Sequence, residues 1–520
     1  MKKTTMKKWA LLLAFTSFSA LAEQTYSEMI EYPFYEVQKT SEGKNNKMMI
    51  LNSGVAAFWK RIEMIRSAKK NIEVEYFIYS TDETSKALTT ELVKAAERGV
   101  TVRILVDKSL AVFQLDPFYA KALKTKGVEL RYYNAAPIYR ISSVNFRNHR
   151  KLISVDDRYA ITGGRNIEND YFDYSTEFNF LDRDAYIEGD IVPTLRKSFD
   201  AFFENSIVEI PSDPQRPKET KIERYKEHGS VVTLKREVPN TKKINEYENK
   251  IKNAEAFISE SDDSKILIEK YRDAAAPILA NSKLISCPEI TYSTDRPGGD
   301  FLTRLVEAYS DDYRYLRKTL FDKAITVDKG IIVSSPYMIN SPKSLEIYQS
   351  LLDKGVSIDL YTNSMASTDA LYVAANLYRS VFSWARSGIK TYIHAGEYID
   401  ESSGIVSDVA KAKWGTHSKT QLYIYKDSTK NEFMIGTYNY DNRSNHYNTE
   451  MGIFCKGSTE LYEIVENNVR SRMNEGYLIT EDHKAFDKNG KEVSVFGANK
   501  DDLLKMAIYA IPSWLLSLLL

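Results

Sequence analysis

The sequence predicts an α/β protein with two similar domains, each a mostly parallel mixed sheet flanked by helices, related by a pseudo-twofold axis. Two observations support this fold class. A strand–helix–strand order occurs once in each half of the chain, and each half then carries a His-x-Lys motif followed by Gly-x-x-Asn. The hydrophobic fraction of 43% and the charged fraction of 27% are those of a soluble globular protein.

The first repeat begins with residues 71–80, a run of β-branched and aromatic residues that predicts a strand. Apolar residues at helical spacing predict a helix over 85–98. Gly99 is placed to end that helix, and residues 100–107 (VTVRILVD) predict the next strand.

The second repeat has the same order. Residues 330–339 predict a strand, and residues 341–354 predict a helix with Ser341 as its N-cap and proline in its first turn. Gly355 ends this helix, and residues 356–361 (VSIDLY) predict the following strand. Strand–helix–strand units of this kind form parallel pairs with a right-handed crossover.

Composition shifts along the chain divide it further. Three prolines mark a linker after residue 206, and residues 240–283 are charged, helix-prone and without strand alternation. The predicted organisation is a signal peptide at 1–22, a first domain at 23–205, a linker and helical insertion at 206–285, a second domain at 286–500 and an apolar tail at 501–520.

The first 22 residues have the layout of a secretory signal: four lysines, a short apolar stretch and Ala20-Leu21-Ala22 as a cleavage site. We expect removal after Ala22 and a periplasmic or secreted protein; an uncleaved membrane anchor is the alternative. Removal of four lysines leaves 67 basic and 71 acidic residues, a net charge of −4. Because nucleic-acid-binding proteins are usually basic, this charge disfavours a nucleic-acid partner.

Chemistry-bearing residues occur at matching places in the two halves. The first half has His149, Lys151, Asp156, Gly163-Gly164-Arg165-Asn166 and, further on, Asp182. The second half has His417, Lys419, Gly436-Thr437-Tyr438-Asn439 and, further on, Glu450. One His-x-Lys carries little information, whereas two in duplicated domains predict a paired active site.

The residue types suit phosphoryl transfer. On a strand, residues two apart face the same side, so each His-x-Lys is predicted to project into one cleft. An imidazole can attack phosphorus or donate a proton, and a lysine ammonium with an asparagine amide can hold the phosphate oxygens. Asp182 or Glu450 would hydrogen-bond the far ring nitrogen and set the tautomer. This chemistry needs no metal or cofactor, and the histidines and cysteines show no zinc spacing.

These motifs resemble the phospholipase D superfamily, whose pattern is H-x-K-x4-D-x6-G-[SG]-x-N. The first copy matches at every position, and the resemblance is strongest to the C-type branch of bacterial cardiolipin synthases because Tyr171-Phe172 follows it. The second copy departs from the pattern: Ile424 stands where an aspartate is expected, and the nearest acid, Asp427, is predicted to lie in a hairpin turn. Thr437 replaces the commoner serine, as does Gly164. Loss of the second aspartate leaves the orientation of the second half-site open, although both His-Lys pairs and Glu450 are retained.

The resemblance implies a covalent phosphohistidine, with His149 as nucleophile and His417 as acid and base, in a monomer that contains both half-sites. The implied activity is that of a phospholipase D or cardiolipin-synthase-like transferase acting on phospholipids at a membrane. A secreted phosphodiesterase acting on nucleic acid and a non-catalytic lipid-binding protein are the alternatives.

Other features have a structural and a functional interpretation. Cys287 and Cys455 are predicted to be buried free thiols rather than a disulfide. The uncharged residues 506–520 predict an interfacial membrane anchor, with packing onto the domain as the alternative.

Arg165 and Arg443 could contact phosphate or brace the domains. Tyrosines around the second motif could line a lipid groove or pack, and the four histidines outside the motifs (His228, His394, His446, His483) are expected to be structural.

Overall fold

The computed structural model describes residues 45–109, 112–134, 146–225, 233–298, 314–399, 404–405 and 408–496. The predicted signal peptide at 1–22, the predicted tail at 501–520 and His228 lie outside the described residues. No helix in the described part of the chain has both the length and the apolar composition that a membrane crossing requires.

The first half of the chain alternates strands and helices before it continues as strands. Its elements are β1 (Lys47–Leu51), α1 (Gly54–Ser67), β2 (Asn71–Tyr76), α2 (Glu83–Glu97), β3 (Thr101–Asp107), α3 (Pro117–Thr125), β4 (Val128–Tyr133), β5 (Leu152–Val155), β6 (Tyr159–Gly163), β7 (Phe178–Leu181), β8 (Asp184–Glu188) and α4 (Val192–Phe203). The side chain of Asp82 caps α2, and Gly99 follows its end with a φ of 90°. This positive φ explains the glycine at that position.

The segment between the halves holds β9 (Val208–Glu209), β10 (Thr220–Tyr225), β11 (Leu234–Pro239), α5 (Thr241–Ile258), α6 (Asp262–Asn281) and β12 (Ile285–Ser286). The antiparallel hairpin of β10 and β11 is exposed, and the sequence had predicted only a linker there. Its alternation was obscured because neither face is buried. The two helices pack on α1, α2 and α3, and buried Tyr271 donates a hydrogen bond to the carbonyl of Phe172 at 2.8 Å.

The second half repeats the order of the first. Its elements are β13 (Glu289–Thr294), α7 (Tyr315–Ala324), β14 (Gly330–Ser334), α8 (Pro342–Asp353), β15 (Ser357–Asn363), α9 (Leu371–Arg386), β16 (Lys390–His394), β17 (Lys413–Thr416), β18 (Thr420–Ile424), β19 (Glu432–Gly436), β20 (Met451–Lys456), α10 (Thr459–Glu475), β21 (Tyr477–Ile479), β22 (Ala485–Phe486) and β23 (Glu492–Val493). The Ser341 side chain caps α8, and Gly355 follows it with a φ of 76°.

Two large mixed sheets confirm the predicted α/β class. One has the order β12-β1-β8-β6-β5-β2-β3-β4-β9, and the other β13-β20-β19-β18-β14-β15-β16-β21-β22-β23. The run β1-β8-β6-β5-β2-β3-β4 corresponds strand for strand to β13-β20-β19-β18-β14-β15-β16. Within the described strands of these two sheets, only β2-β3-β4 and β14-β15-β16 are parallel, so the parallel part is smaller than the sequence predicted. The remaining neighbours in these sheets are antiparallel; a short turn joins β5 to β6 and β18 to β19.

The two sheets share a core. Helices α4 and α10 lie in one apolar cluster with residues from both sheets, including Leu152, Ile187, Leu422 and Ile453. The outer faces of the sheets are covered separately, one by α1, α2, α5 and α6 and the other by α7, α8 and α9. The shared core fixes one domain against the other, and the functional cleft lies on this seam.

Cys287 and Cys455 form a disulfide, with their Cα atoms 5.9 Å apart, so the prediction of two free thiols was wrong. Cys455 does lie in a buried strand, as its apolar neighbours indicated. Cys287 stands between β12 of the first sheet and β13 of the second, and β13 pairs with β20 directly beside Cys455. The sequence separation of 168 residues hid this proximity.

Candidate active site

Both His-x-Lys motifs lie in extended segments that directly precede a strand, β5 for the first motif and β18 for the second. The sequence had predicted that they lie on the strands themselves. Each lysine is nonetheless turned toward its own motif, because its ammonium donates to the carbonyl of the histidine, at 2.8 Å in both motifs. The four side chains of the two pairs are buried.

A two-stranded parallel pairing between the domains positions His417. β17 pairs with β7, so that Thr416 lies opposite Leu181, and the backbone N–H of His417 donates to the Leu181 carbonyl at 2.8 Å. Asp182 follows immediately, and its Oδ2 lies 2.7 Å from Nδ1 of His417. We call His417, Lys419 and Asp182 the second half-site.

A corresponding contact positions His149. Asn148 pairs with Thr449 in a parallel bridge, and the backbone N–H of His149 donates to the Thr449 carbonyl at 3.0 Å. Glu450 follows, and its Oε2 lies 2.9 Å from Nδ1 of His149. We call His149, Lys151 and Glu450 the first half-site.

Each half-site therefore combines a histidine of one domain with the carboxylate of the other. The sequence identified Asp182 and Glu450 as ring-orienting acids but gave no indication that they are exchanged between domains. Only the pairing of strands from different domains produces the exchange, and such pairing leaves no periodicity in either half. In both half-sites the carboxylate holds Nδ1, which leaves Nε2 as the nitrogen available for chemistry.

The two carboxylates are held by different groups. Oε1 of Glu450 accepts from the Ser444 hydroxyl at 2.6 Å, and Oε2 accepts from the Thr437 hydroxyl. Oδ1 of Asp182 accepts from the backbone N–H of Arg183 at 2.7 Å. At the position corresponding to Thr437 stands Gly164, where a Cβ atom would lie 2.1 Å from Oδ1 of Asp182. The glycine is therefore required by the close approach of that carboxylate.

Burial and like charges keep the imidazoles neutral. Burial lowers the pKa of His149 to about 4, and the ammonium groups of Lys151 and Lys419 act in the same direction, against the opposing effect of Glu450. Burial, followed by the charge of Lys419, lowers the pKa of His417 well below its ordinary value. A neutral imidazole with Nδ1 bound to a carboxylate has a free electron pair on Nε2, which a nucleophile or base requires.

The pKa values of the two lysines lie close to neutral pH. Burial and the charge of Lys419 lower the pKa of Lys151 to about 7, and burial lowers the pKa of Lys419 to about 8. Nζ of Lys419 also lies 2.7 Å and 2.9 Å from the two ring nitrogens of His417. A bound anion between the lysines would favour their charged forms.

The two predicted asparagines lie in the same cleft but are held differently. Oδ1 of Asn166 accepts from the backbone N–H of Ile78 at 3.2 Å, and its Nδ2 donates to the Tyr171 hydroxyl at 2.9 Å. The backbone N–H of Asn439 donates to Ser444 Oγ at 3.1 Å, while its buried Oδ1 has no hydrogen-bond partner among the described residues. Asn439 therefore has an amide group available to a ligand.

The cleft-facing nitrogens differ between the half-sites. In the described part of the chain, Nε2 of His149 has no hydrogen-bond partner, and its ring meets Phe77 edge to face at 5.3 Å. Nε2 of His417 lies 3.5 Å from the Tyr171 hydroxyl, and the rings of Tyr171 and Phe180 pack against its imidazole at 5.0 Å and 4.8 Å. The first imidazole is thus open to a substrate, and the second is partly covered.

A cavity of about 170 Å³ joins the two half-sites. Sequence reasoning had identified part of its wall, namely both histidines and both asparagines. It had missed the further lining residues Phe77, Arg147, Tyr337, Asp369, Asp441 and Asn448, and it had used Tyr171 only as a mark of resemblance. Phe77, Arg147, Tyr337 and Asp369 come from turns and strand ends that carry no motif, whereas Asp441 and Asn448 lie in the segment between Asn439 and Glu450.

Asp156 does not lie in this cleft. Its carboxylate accepts hydrogen bonds from the backbone N–H groups of Lys69, Lys70 and Asn71 at 2.7–3.0 Å, at the start of β2. It follows the end of β5 that is distant from Lys151, about 16 Å away at ~3.3 Å per residue. Ile424 takes the corresponding place at the end of β18. Ile424, which stands in place of the expected aspartate, is therefore at the end of β18 that is distant from Lys419.

Several secondary predictions are also resolved. Arg165 is buried in the first domain, where it bonds the carbonyls of Leu51 and Tyr171, so it neither faces the cleft nor braces the domains. Arg443 lines the cleft.

Tyr438 and Tyr440 are buried in the core of the second domain. His394 is buried away from the cleft, and His483 is exposed. Among the described residues, no group of three or more His, Cys, Asp or Glu side chains is placed to hold a metal ion.

Comparison with known proteins identifies related sequences. The family described as "Cardiolipin synthase, PLD-like domain" matches residues 61–203. An uncharacterized protein of Helicobacter pylori strain J99 is 27% identical over 431 residues, which cover 79% of this chain and 76% of that protein. Cardiolipin synthase C of Escherichia coli strain K12 is 24% identical over 440 residues, 81% of this chain and 84% of that enzyme.

The solved structures include a similar fold over nearly the whole chain. The crystal structure of phosphatidylserine synthase from Haemophilus influenzae Rd KW20 superimposes with a TM-score of 0.57 at 14% identity. The match covers 94% of this chain and 100% of that chain. At this identity the likeness establishes a shared fold and carries no information about substrate.

Proposed function

We propose that this chain is an exported phospholipid phosphodiesterase or phosphatidyltransferase of the phospholipase D superfamily, similar to the cardiolipin synthases. The observation that carries the proposal is the pair of crossed histidine–carboxylate contacts, which leave Nε2 of both His149 and His417 at one cavity. Two buried lysines beside them supply the positive charge that a phosphodiester requires.

In the proposed first step, Nε2 of His149 attacks phosphorus and the bond from phosphorus to the leaving oxygen breaks. His417 gives its Nε2 proton to that oxygen, which departs as an alcohol. A bound phosphodiester raises the pKa of His417, and the adjacent ammonium of Lys419 is a proton source 2.9 Å from Nε2. His149 is assigned as the nucleophile because its Nε2 is open to the cavity, whereas that of His417 already contacts Tyr171.

In the second step, neutral His417 takes a proton from water or from an alcohol, whose oxygen attacks phosphorus while the bond to Nε2 of His149 breaks. Water yields phosphatidate, and an alcohol yields a new phosphodiester. Asp182 and Glu450 stabilise the imidazolium forms by keeping their contacts with Nδ1 throughout.

An aryl phosphodiester with an acidic phenol tests the assignment of the two histidines. Such a leaving group needs no proton, so His417→Gln should still release one equivalent of phenol in a burst and then stop with the remaining phosphoryl ester bound to Nε2 of His149. His149→Gln should give no burst. His483→Asn is the matched control, since His483 is exposed and its φ of 66° suits asparagine. A burst from His149→Gln but not from His417→Gln would reverse the assignment.

The substrate class is tested with wild-type protein and vesicles of phosphatidylglycerol, with plasmid DNA as the competing substrate. We expect phosphatidate or a lipid transfer product from the vesicles and no cleavage of the DNA. Nicking of DNA without lipid turnover would replace this proposal with a nuclease function. Vesicle binding without turnover of either substrate would indicate a lipid-binding protein.

Export and membrane association are part of the proposal. The disulfide between Cys287 and Cys455 supports export, since such bonds persist in oxidising compartments. N-terminal sequencing of the protein purified from its native host should begin at Glu23, and a start at Met1 would favour an uncleaved anchor. Deletion of residues 506–520 should reduce co-sedimentation with vesicles while leaving hydrolysis of the soluble aryl substrate unchanged. Unchanged co-sedimentation would exclude the tail as an anchor.

A further inference from the structure

The hydroxyl of Tyr171 lies 3.5 Å from the reactive nitrogen of His417, and the assigned reaction does not use it. It ends a short 3-10 turn, Asn169–Tyr171, and is 3% exposed. Its ring stacks on Phe180 at a centroid distance of 4.7 Å and meets the His417 imidazole edge to face at 5.0 Å. Tyr171 therefore occupies a fixed place in the wall of the cavity.

The hydrogen bonds of Tyr171 orient its hydroxyl. Nδ2 of Asn166 donates to the phenolic oxygen at 2.9 Å, which leaves the phenolic hydrogen free to point toward Nε2 of His417 at 3.5 Å. Burial raises the pKa of Tyr171 well above its ordinary value, so this hydrogen is retained at neutral pH. The hydroxyl thus lies beside the nitrogen that must take a proton from the incoming water or alcohol.

The first half-site lacks this arrangement. Phe77 meets the His149 ring at 5.3 Å and carries no hydroxyl, and Nε2 of His149 stays open. The rings of Tyr171 and Phe180 instead cover one side of the His417 imidazole. A small water molecule gains little from such an apolar wall, whereas the carbon atoms of an alcohol can pack on it.

We propose that Tyr171 is a positioning and specificity-determining residue: its hydroxyl, held by Asn166, orients Nε2 of His417, and its ring favours an alcohol over water as acceptor. The proposal rests on the proposed phosphatidyl-transfer function. On this proposal, the residues that line the second half-site determine whether water or an alcohol acts as the acceptor.

The test measures both products from phosphatidylglycerol vesicles with added glycerol as the acceptor: phosphatidate from hydrolysis, and glycerol exchange, followed with labelled glycerol, from transfer. Tyr171→Phe should lower the ratio of transfer to hydrolysis about fivefold, the effect of one lost hydrogen bond, and Tyr171→Ala should lower it further because water gains access. Tyr132→Phe is the matched control, since Tyr132 is equally buried and its hydroxyl bonds the Leu115 carbonyl away from the cleft. An unchanged ratio in folded Tyr171→Phe would overturn the proposal.

A second measurement is independent of turnover. In protein with ¹⁵N-labelled histidine, the Nε2 resonance of His417, assigned by its loss in His417→Gln, should shift in Tyr171→Phe and not in Tyr132→Phe. Loss of a donor to the neutral ring should also raise the pKa of His417, which a pH titration of that resonance would show. An unshifted resonance overturns the role of Tyr171 even if the wild-type protein turns over no lipid, whereas absent lipid turnover with a shifted resonance contradicts only the proposed function.

Discussion

In the first half-site, Glu450 is fixed by side-chain hydroxyls: Ser444 donates to one carboxylate oxygen and Thr437 to the other. Its contacts with His149 keep the pKa of Glu450 below its ordinary value, although burial acts in the opposite direction. This carboxylate is charged and fully hydrogen-bonded, so it can orient a ring whose Nε2 faces the cavity without any other constraint.

In the second half-site, Asp182 has a backbone donor from Arg183 and the nearby positive charges of Lys419, Arg165 and Arg472 in place of hydroxyls. Burial raises the pKa of Asp182, and those charges oppose the effect. The imidazole that Asp182 holds also contacts Lys419 and the Tyr171 hydroxyl.

The comparison shows that the two half-sites keep the same types of reacting residue, whereas the groups that bind their carboxylates differ. An imidazole with an open Nε2 suits the nucleophile, and one with a proton source at hand suits the acid and base. The same chemical types can therefore take different roles because their neighbours differ, which the motifs alone do not reveal.

The largest expected effect comes from loss of the ring-orienting carboxylates. Glu450→Gln should lower kcat for lipid turnover by about 10³-fold, because an amide cannot stabilise the imidazolium and can impose the wrong tautomer. Asp182→Asn should lower the same kcat by about 10²-fold, since Lys419 continues to contact His417. Steady-state kinetics with matched thermal unfolding curves would measure both. Equal losses of kcat would mean that the different surroundings of Glu450 and Asp182 have no functional consequence.

A smaller effect is expected from substitution of Gly164, which stands at the position that corresponds to Thr437. Gly164→Ser would place Cβ 2.1 Å from Oδ1 of Asp182, so the carboxylate must move and activity should fall on the order of 10- to 100-fold. Thr437→Ser, which keeps the hydroxyl that donates to Glu450, should stay within about threefold of wild type. A Gly164→Ser enzyme of full activity would show that Asp182 needs no fixed position.

The pH dependence follows from the lowered pKa values. The kcat/KM should rise as pH increases through about 4, where His149 becomes neutral, and not through the ordinary histidine value near 6.5. It should fall again above pH 7 to 8, as the ammonium groups of Lys151 and Lys419 lose protons, about tenfold per pH unit. Rate profiles with the aryl substrate, together with circular dichroism over the same range, would separate titration from unfolding. An acidic limb near 6.5 would show that His149 is hydrated.

The smallest effect on activity is expected at the motif aspartate. Asp156→Asn should lower the free energy of unfolding by about 1–2 kcal/mol because its backbone hydrogen bonds weaken. It should change kcat less than about twofold, well below any catalytic contribution. Denaturant unfolding and steady-state assays would measure the two quantities. A loss of activity comparable to that of Asp182→Asn would place Asp156 in the catalytic machinery after all.

The repeat of strand–helix–strand units correctly predicted the α/β class, because local periodicity and helix-ending glycines such as Gly99 and Gly355 encode it. The sequence also identified the histidines and lysines that the structure brings together. It failed where contacts join distant segments: the disulfide, the exchange of Asp182 and Glu450, and the role of Tyr171. The exchange and the place of Tyr171 depend on pairing between strands of different domains, and the disulfide depends on pairing between two distant strands of the second sheet. Neither kind of pairing has a local signature.

The exchanged carboxylates have a consequence for the time at which activity appears during synthesis. His149 and Glu450 are 301 residues apart in sequence, and Asp182 and His417 are 235 apart. A nascent chain that has released only its first half has neither a complete half-site nor a partner strand for β7. Contacts of such sequence separation form late in folding. The proposed activity should therefore begin only when the last strands have docked, and a truncated chain should be inert rather than partly active.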